Sequence, residues 1–291
     1  MCQLAVTKYV LSLLLMCIVL PTAVLASEAP LDVFVSILPQ KYFVERVGGD
    51  QVAVSVMVGP GRSPATYEPT PRQLAHLSQA HLYFRIGVAF EDVWMDRIRA
   101  ANSSMKVVDT RRSIQLRDID SAGPREGGGA KDPHVWTNPL LVKIMAMHIR
   151  DALIEADPAH RTEYESNYTR FAADLDRLDQ WIRNRLQGLS SRSFMVFHPS
   201  WGYFADAYDL KQIPIESAGK EPGPKTLAAV IDQGREAQVK VIFVQQQFSH
   251  STAETVAQAI GASVVTVDPL AENYLDNLRH VAEAFAEALK Q

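Results

Sequence analysis

Two histidines and an aspartate are the side chains in this sequence best suited to chemistry. His134 lies in Asp132-Pro133-His134-Val135-Trp136, and His198 lies in Phe197-His198-Pro199-Ser200-Trp201. Asp268 lies in Thr266-Val267-Asp268-Pro269-Leu270. Each sits at or just past the end of an apolar, strand-like or loop segment, where the chain turns away from a sheet. Two imidazoles and one carboxylate form the donor set of a borderline transition metal such as zinc.

These residues need elements to position them, and the chain alternates strand-like runs with helical patterns. Leu31–Leu38, Val52–Val58, Leu82–Ile86 and Lys106–Asp109 read as strands of a first half. Phe194–Phe197, Gln212–Ile215, Val239–Val244 and Ser263–Val267 read as strands of a second half. Helical patterns fall between them, at Pro71–Gln79, Glu91–Ala101 and Pro139–Ala156, then at Trp201–Tyr208, Lys225–Ala237, Ser251–Ile260 and Glu272–Lys290. Such alternation predicts an α/β fold with parallel-type sheets and covering helices. In open sheets of this kind ligands bind beyond the carboxyl ends of the strands. His198 and Asp268 directly follow predicted strands, and His134 lies on the loop that leads to the last helix of the first half. Two donors from one half and one from the other suit a cleft between lobes.

The longest helical pattern begins at Pro158, with Asp157 as the expected N-cap. Tyr164, Tyr168, Phe171, Leu175, Leu178 and Ile182 form one apolar stripe, and Gly188 closes it. About 30 residues would span roughly 45 Å, long enough to bridge two lobes. The expected organisation is a signal peptide at 1–26, an N-terminal α/β lobe at 27–156, a linking helix at 157–188 and a C-terminal α/β lobe at 189–291.

Residues 1–26 carry a single charge, Lys8, an apolar run from Tyr9 to Leu20, and Val24-Leu25-Ala26 as a small-residue cleavage signal. They read as a secretory signal cut near Ala26, so the protein is expected in the periplasm or otherwise exported. Both cysteines, Cys2 and Cys17, lie within the signal. The mature chain therefore has no disulfide to rely on, must bury a substantial core, and can offer a metal only nitrogen and oxygen donors. Loss of Lys8 takes the formal charge from −4 to −5. That mild balance gives no electrostatic case for nucleic acid or an anionic membrane surface.

The other histidines are weaker candidates. His76, His148, His160 and His280 fall in helices or caps, with no second donor one turn on, and His81 begins a strand. His250, at a predicted helix start, is a reserve ligand. Two turn-rich loops, 59–69 and 219–224, carry the metal-capable Glu68 and Glu221. Nucleotide-binding, serine-hydrolase and His-Glu-x-x-His motifs are absent.

Taken in order, Tyr67-Glu68-Pro69-Thr70-Pro71, Asp132-Pro133-His134-Val135-Trp136, His198 with Tyr203-Phe204, Glu221-Pro222 and Val267-Asp268-Pro269-Leu270 resemble a known family. It is that of the zinc- and manganese-specific solute-binding proteins of bacterial ABC transporters, the metal-binding cluster A-I. The resemblance covers nearly all of the mature chain. It implies two α/β lobes joined by one rigid helix, a divalent metal held between them, and delivery to a membrane permease by a non-enzymatic protein, expected to be a monomer. His134, His198 and Asp268 fall on three of the family's four ligand positions. Ala65, in Pro64-Ala65-Thr66-Tyr67, stands where the family's first histidine is usual, so water, Glu68 or His250 would fill the fourth place. Manganese members tend to carry glutamate at the third position. His198 there favours Zn2+ over the alternative, Mn2+. Two further readings stay open: a degenerate member that binds metal weakly or binds another ligand, and an exported zinc-dependent hydrolase using an open three-ligand site.

Overall fold

The computed structural model describes residues 29–122, 130–216, 219–248 and 250–290. The expected signal peptide and the Gly-rich part of the 120–131 loop lie outside these residues.

In the first half four parallel strands, β1 (Leu31–Ile37), β2 (Val52–Val58), β3 (Leu82–Arg85) and β4 (Lys106–Asp109), form a sheet in the order β2-β1-β3-β4. In the second half β5 (Ser193–Val196), β6 (Lys211–Pro214), β7 (Val241–Val244) and β8 (Ser263–Thr266) form a parallel sheet in the order β6-β5-β7-β8. The two sheets thus share one topology. In each, the order reverses between the first and third strands, where a crevice opens beyond the strand ends. The α/β reading holds with each half as its own parallel sheet.

The helices follow the predicted pattern, with one addition and one altered start. The addition is α1 (Leu38–Gly48), which begins directly at the end of β1. Pro39 looks like a break in the sequence, yet proline is tolerated in a helix's first turn, where its missing N–H costs nothing. Buried Gln40 secures this turn: its Oε1 accepts from Ser36 N at 3.1 Å and its Nε2 donates to Phe84 O at 3.2 Å. Next come α2 (Pro71–Leu77), α3 (Ala89–Ala101) and α4 (Pro139–Ala156). Capping is strongest at α2, where Thr70 and Gln73 form a reciprocal capping box.

The long helix α5 (Arg161–Arg185) runs 25 residues, about 37 Å. Asp157 does not cap it. Pro158–His160 forms a 3-10 turn instead, and the Asp157 carboxylate accepts from the Tyr164 hydroxyl at 2.7 Å and from His160 Nδ1 at 2.5 Å. The second half contributes α6 (Gly202–Ala207), α7 (Pro224–Glu236), α8 (Ser251–Ile260) and α9 (Tyr274–Leu289).

Helix α5 packs on α1 and α4 of the first half and on α9 of the second. Its buried stripe includes Phe171, and Phe43 of α1 meets both Phe171 (ring centroids 6.0 Å apart) and Tyr274 of α9 (4.8 Å). One apolar cluster therefore runs unbroken from the first sheet, through these helices, to one face of the second sheet, where Phe243 and Phe285 stack at 4.0 Å. Alternation along β5 explains the second cluster: Phe194 and Val196 point into the shared core, whereas Met195 and Phe197 point to the opposite face beneath α7 and α8. Sharing apolar packing in this way stiffens the connection between the halves, because relative motion must disturb close-packed side chains. Among the described residues no helix is long and apolar enough to cross a membrane.

Candidate metal centre

His198 stands at the reversal point of the second sheet, two residues past the end of β5. Neighbouring β7 supplies Gln245 just past its own end. This buried amide donates to His198 O at 2.7 Å and accepts weakly from His198 N at 3.4 Å. It also donates to Ser200 Oγ at 2.7 Å, so the backbone around His198 is held on both sides.

The segment carrying His134 leaves the first sheet and comes to rest against the second half. Ala122 N donates to Glu216 O at 3.2 Å, and the buried Tyr203 hydroxyl donates to Asp132 O at 2.9 Å while accepting from Arg117 N at 3.1 Å. Gly202 at the start of α6 allows this approach: a Cβ there would lie 1.6 Å from an Arg117 guanidinium nitrogen. His134 then ends the loop, just before a 3-10 turn at Val135–Thr137 that leads into α4.

Each imidazole is oriented by a buried carboxylate. His134 Nδ1 donates to Asp132 Oδ1 at 2.7 Å, and the same oxygen accepts from His134 N at 2.9 Å. His198 Nδ1 donates to Glu216 Oε1 at 2.8 Å, and its ring stacks on Phe248 at 5.1 Å. A carboxylate can only accept here, so the neutral form of each ring carries its proton on Nδ1 and presents an Nε2 lone pair. These two Nε2 atoms lie 3.2 Å apart. In their neutral forms the two rings turn these lone pairs toward a common space, and a cation bound to both relieves the repulsion between them. Two nitrogens bound to one tetrahedral zinc at 2.0–2.1 Å would be about 3.3–3.4 Å apart, so the observed spacing already matches.

Protonation states agree with this geometry. Burial pushes the His134 imidazole below its usual range, against the opposing pull of Asp132, and His198 adds to the lowering. Burial alone would raise Asp132, but the His134 ring, its backbone amide and Arg117 outweigh it and hold the carboxyl below the ordinary range. A neutral ring beside an ionised carboxylate is the state that a metal ligand requires.

The other candidates fall elsewhere. Asp268 lies just past β8, but its Oδ1 accepts from Leu270 N at 2.8 Å and its side chain borders a smaller cavity of about 240 Å³ between Gly59–Arg62 and Gln246–Gln247. Glu68 and Glu221 are exposed, and His250 is the residue preceding α8; none of the three lines the histidine cavity. Among the described residues no three His, Cys, Asp or Glu side chains stand together as a metal cluster. The structure thus joins His134 to His198 and holds Asp268, Glu68 and His250 apart from them.

Ala65 does line the cavity that holds both imidazoles. The position read from the sequence as a missing ligand is therefore at the site. Trp136 has a role that sequence reasoning did not assign: its indole Nε1 donates to Pro269 O at 2.7 Å, tying the His134 loop to the Asp268 loop. Asp132 and Glu216 were likewise not identified as the partners of the histidines. Glu216 lies two residues beyond β6, so the strand-end rule that selects His198 could have selected it too.

Comparison with known proteins agrees with this architecture. Residues 33–288 match the family model described as ZnuA, zinc-uptake complex component A, periplasmic. A putative metal-binding protein of Chlamydia trachomatis is 30% identical over 256 residues, covering 88% of this chain and 90% of the relative. The manganese-binding lipoprotein MntA of Halalkalibacterium halodurans is 27% identical, covering 85% of each chain. A crystal structure of ZnuA superposes with a TM-score of 0.85 at 44% identity, covering 89% of this chain and 99% of that one.

Proposed function

The chain belongs to the family of metal-binding periplasmic solute-binding proteins of the ZnuA, or cluster A-I, type, and from that premise we propose that it captures a divalent metal, zinc, outside the cytoplasm and delivers it to an ABC-transporter permease. The observation that carries this reading is the pair of Nε2 atoms 3.2 Å apart, each on a ring whose Nδ1 is held by a buried carboxylate. Two imidazoles favour zinc over manganese, which prefers oxygen donors. His134 and His198 are the ligands present at the centre, and Asp268 joins them when its loop moves and its carboxylate releases Leu270 N. The protein acts as a monomer after signal cleavage near Ala26, with a lobe at 27–156 and another at 189–291 on either side of the 157–188 helical link.

Capture rather than hydrolysis is favoured by the carboxylates. Asp132 and Glu216 both face Nδ1 and are engaged there, whereas a hydrolase needs a base beside its metal-bound water. Calorimetric titration of zinc and manganese into the stripped mature protein tests the reading. Zinc should bind more tightly than manganese, and His134→Ala or His198→Ala should each weaken zinc by at least about 100-fold, since loss of the carboxylate behind a ligand alone costs 10–100-fold. Parent-like zinc binding by either variant overturns the ligand assignment.

A further inference from the structure

We propose, resting on the metal-capture reading, that Arg117 is a positioning residue for the metal centre: it fixes the carboxylate that aims His134 and anchors that unit on the half of the chain that carries His198. By sequence His134 belongs to the first half, so its distance from His198 depends on what holds its loop.

Arg117 reaches Asp132 by three routes. Asp132 N donates to Arg117 O at 3.0 Å, in a short antiparallel ribbon where Ile119 N also donates to Ala130 O at 2.9 Å. The Tyr203 hydroxyl sits between Arg117 N and Asp132 O. The third route is the guanidinium, whose Nη1 donates to Asp132 Oδ2 at 3.3 Å. This contact bears most directly on the metal. Asp132 is fully buried, and its Oδ1 already accepts from both His134 N and His134 Nδ1. A carboxylate held by one oxygen can still turn about its last bond, where the torsion is soft. With Arg117 on Oδ2 both oxygens are held, and Oδ1 stays aimed at the ring.

The same guanidinium crosses to the second half. Its Nε lies 3.0 Å from Asp206 Oδ2 on α6. Its Nη1 and Nη2 reach the Asp120 carboxylate at 3.2 and 3.4 Å, and Asp120 also accepts from Gln212 Nε2 of β6 at 3.0 Å. Both α6 and β6 follow β5, the strand that leads to His198. One side chain thus ties the His134 carboxylate to the frame of the other imidazole. Burial alone would lower the Arg117 guanidinium, but Asp120, Asp206 and Asp132 outweigh it and hold it above its ordinary range. Arginine suits this task because its planar fork presents five donors in fixed directions. Lysine carries the same charge as a mobile point.

The test is zinc calorimetry on the stripped mature protein, with long-range proton–nitrogen NMR of the metal-free histidine rings at pH 8. In the parent, both His134 and His198 should show the form protonated on Nδ1. Arg117→Lys keeps the charge and loses the fork. It should weaken zinc by about three- to tenfold, less than loss of the carboxylate itself, which costs about 10–100-fold. In that variant His134 should lose the uniform Nδ1-protonated form, while His198, held by Glu216, keeps it. A purely structural role would lower the Tm without this selective change. Asp206→Asn removes only the anchor on α6, at a side chain 59% exposed, and should weaken zinc by about two- to fivefold. Parent-like zinc binding by Arg117→Lys, or weaker binding with the His134 form unchanged, overturns the proposal and leaves metal capture standing. Parent-like binding by Asp206→Asn overturns the anchoring on the second half. A parent that binds no zinc overturns both readings.

Discussion

Glu216 offers the most discriminating test of how this centre works. It is 3% exposed, and its carboxylate accepts the hydrogen bond from His198 Nδ1 at 2.8 Å. Glu216→Gln keeps the shape and leaves a carbonyl oxygen able to accept the same bond. It removes the negative charge that makes the distal nitrogen a better donor. Replacing a carboxylate behind a metal-binding histidine costs about 10–100-fold in affinity, or roughly 1.4–2.8 kcal/mol. The amide variant should fall near the low end, because the ring stays oriented by Phe248 and by the remaining hydrogen bond. Glu216→Leu loses orientation as well and should reach the high end. Competition calorimetry with zinc measures both, with thermal unfolding of the metal-free proteins as a control for folding. A double-mutant cycle supplies the decisive result. If Glu216 acts through His198, Glu216→Gln should have no further effect in a His198→Ala background. Fully additive losses would refute the argument.

Two further perturbations probe the frame around the site. Trp136→Phe removes the indole donor to the buried Pro269 carbonyl; leaving that acceptor unsatisfied should cost about 1–3 kcal/mol and lower the Tm by roughly 2–10 °C, and an unchanged Tm would show the bond to be unimportant. At the site, the pH dependence of the metal-free protein follows from two depressed groups, His134 and Asp132. His134 has its folded pKa lowered, so the unfolded state binds its proton first, and stability should fall as pH drops below about 6.5. Asp132 is also lowered, so its contribution is present above the usual carboxylate range, about 3.9, and is lost only as pH falls through its lower folded value. Chemical denaturation from pH 8 to pH 3 should show the first decline in the parent and not in His134→Phe; a decline unchanged by that substitution would place its origin elsewhere.

The two-sheet frame was legible because its signals are local. Strands buried on both faces read as short apolar runs between turn residues, and the heptad-like stripe of α5 announces one long helix. The frame's exceptions were local conflicts resolved by distant contacts. Helix α1 hides behind Pro39 and is secured by Gln40 reaching Phe84, 44 residues away. Asp157 has the composition of a cap, but Tyr164 and His160 claim its carboxylate.

At the site, residue types nominated His134, His198 and Asp268, the last two directly after strands and His134 on a loop, since donors at strand ends and on neighbouring loops can converge on one crevice. Only the tertiary structure decided that His134 and His198 meet, Nε2 to Nε2, because their separation depends on Arg117, Ala122 and Asp132 leaning on Tyr203 and Glu216. It also selected Asp132 and Glu216 as their partners and turned Asp268 toward its own loop. Sequence by itself could name the donors, which is a matter of side-chain chemistry, and its resemblance to the family marked the empty place at Ala65. Which lone pairs face one another, and how much space surrounds them, depends on angles and distances across the fold that no local pattern records.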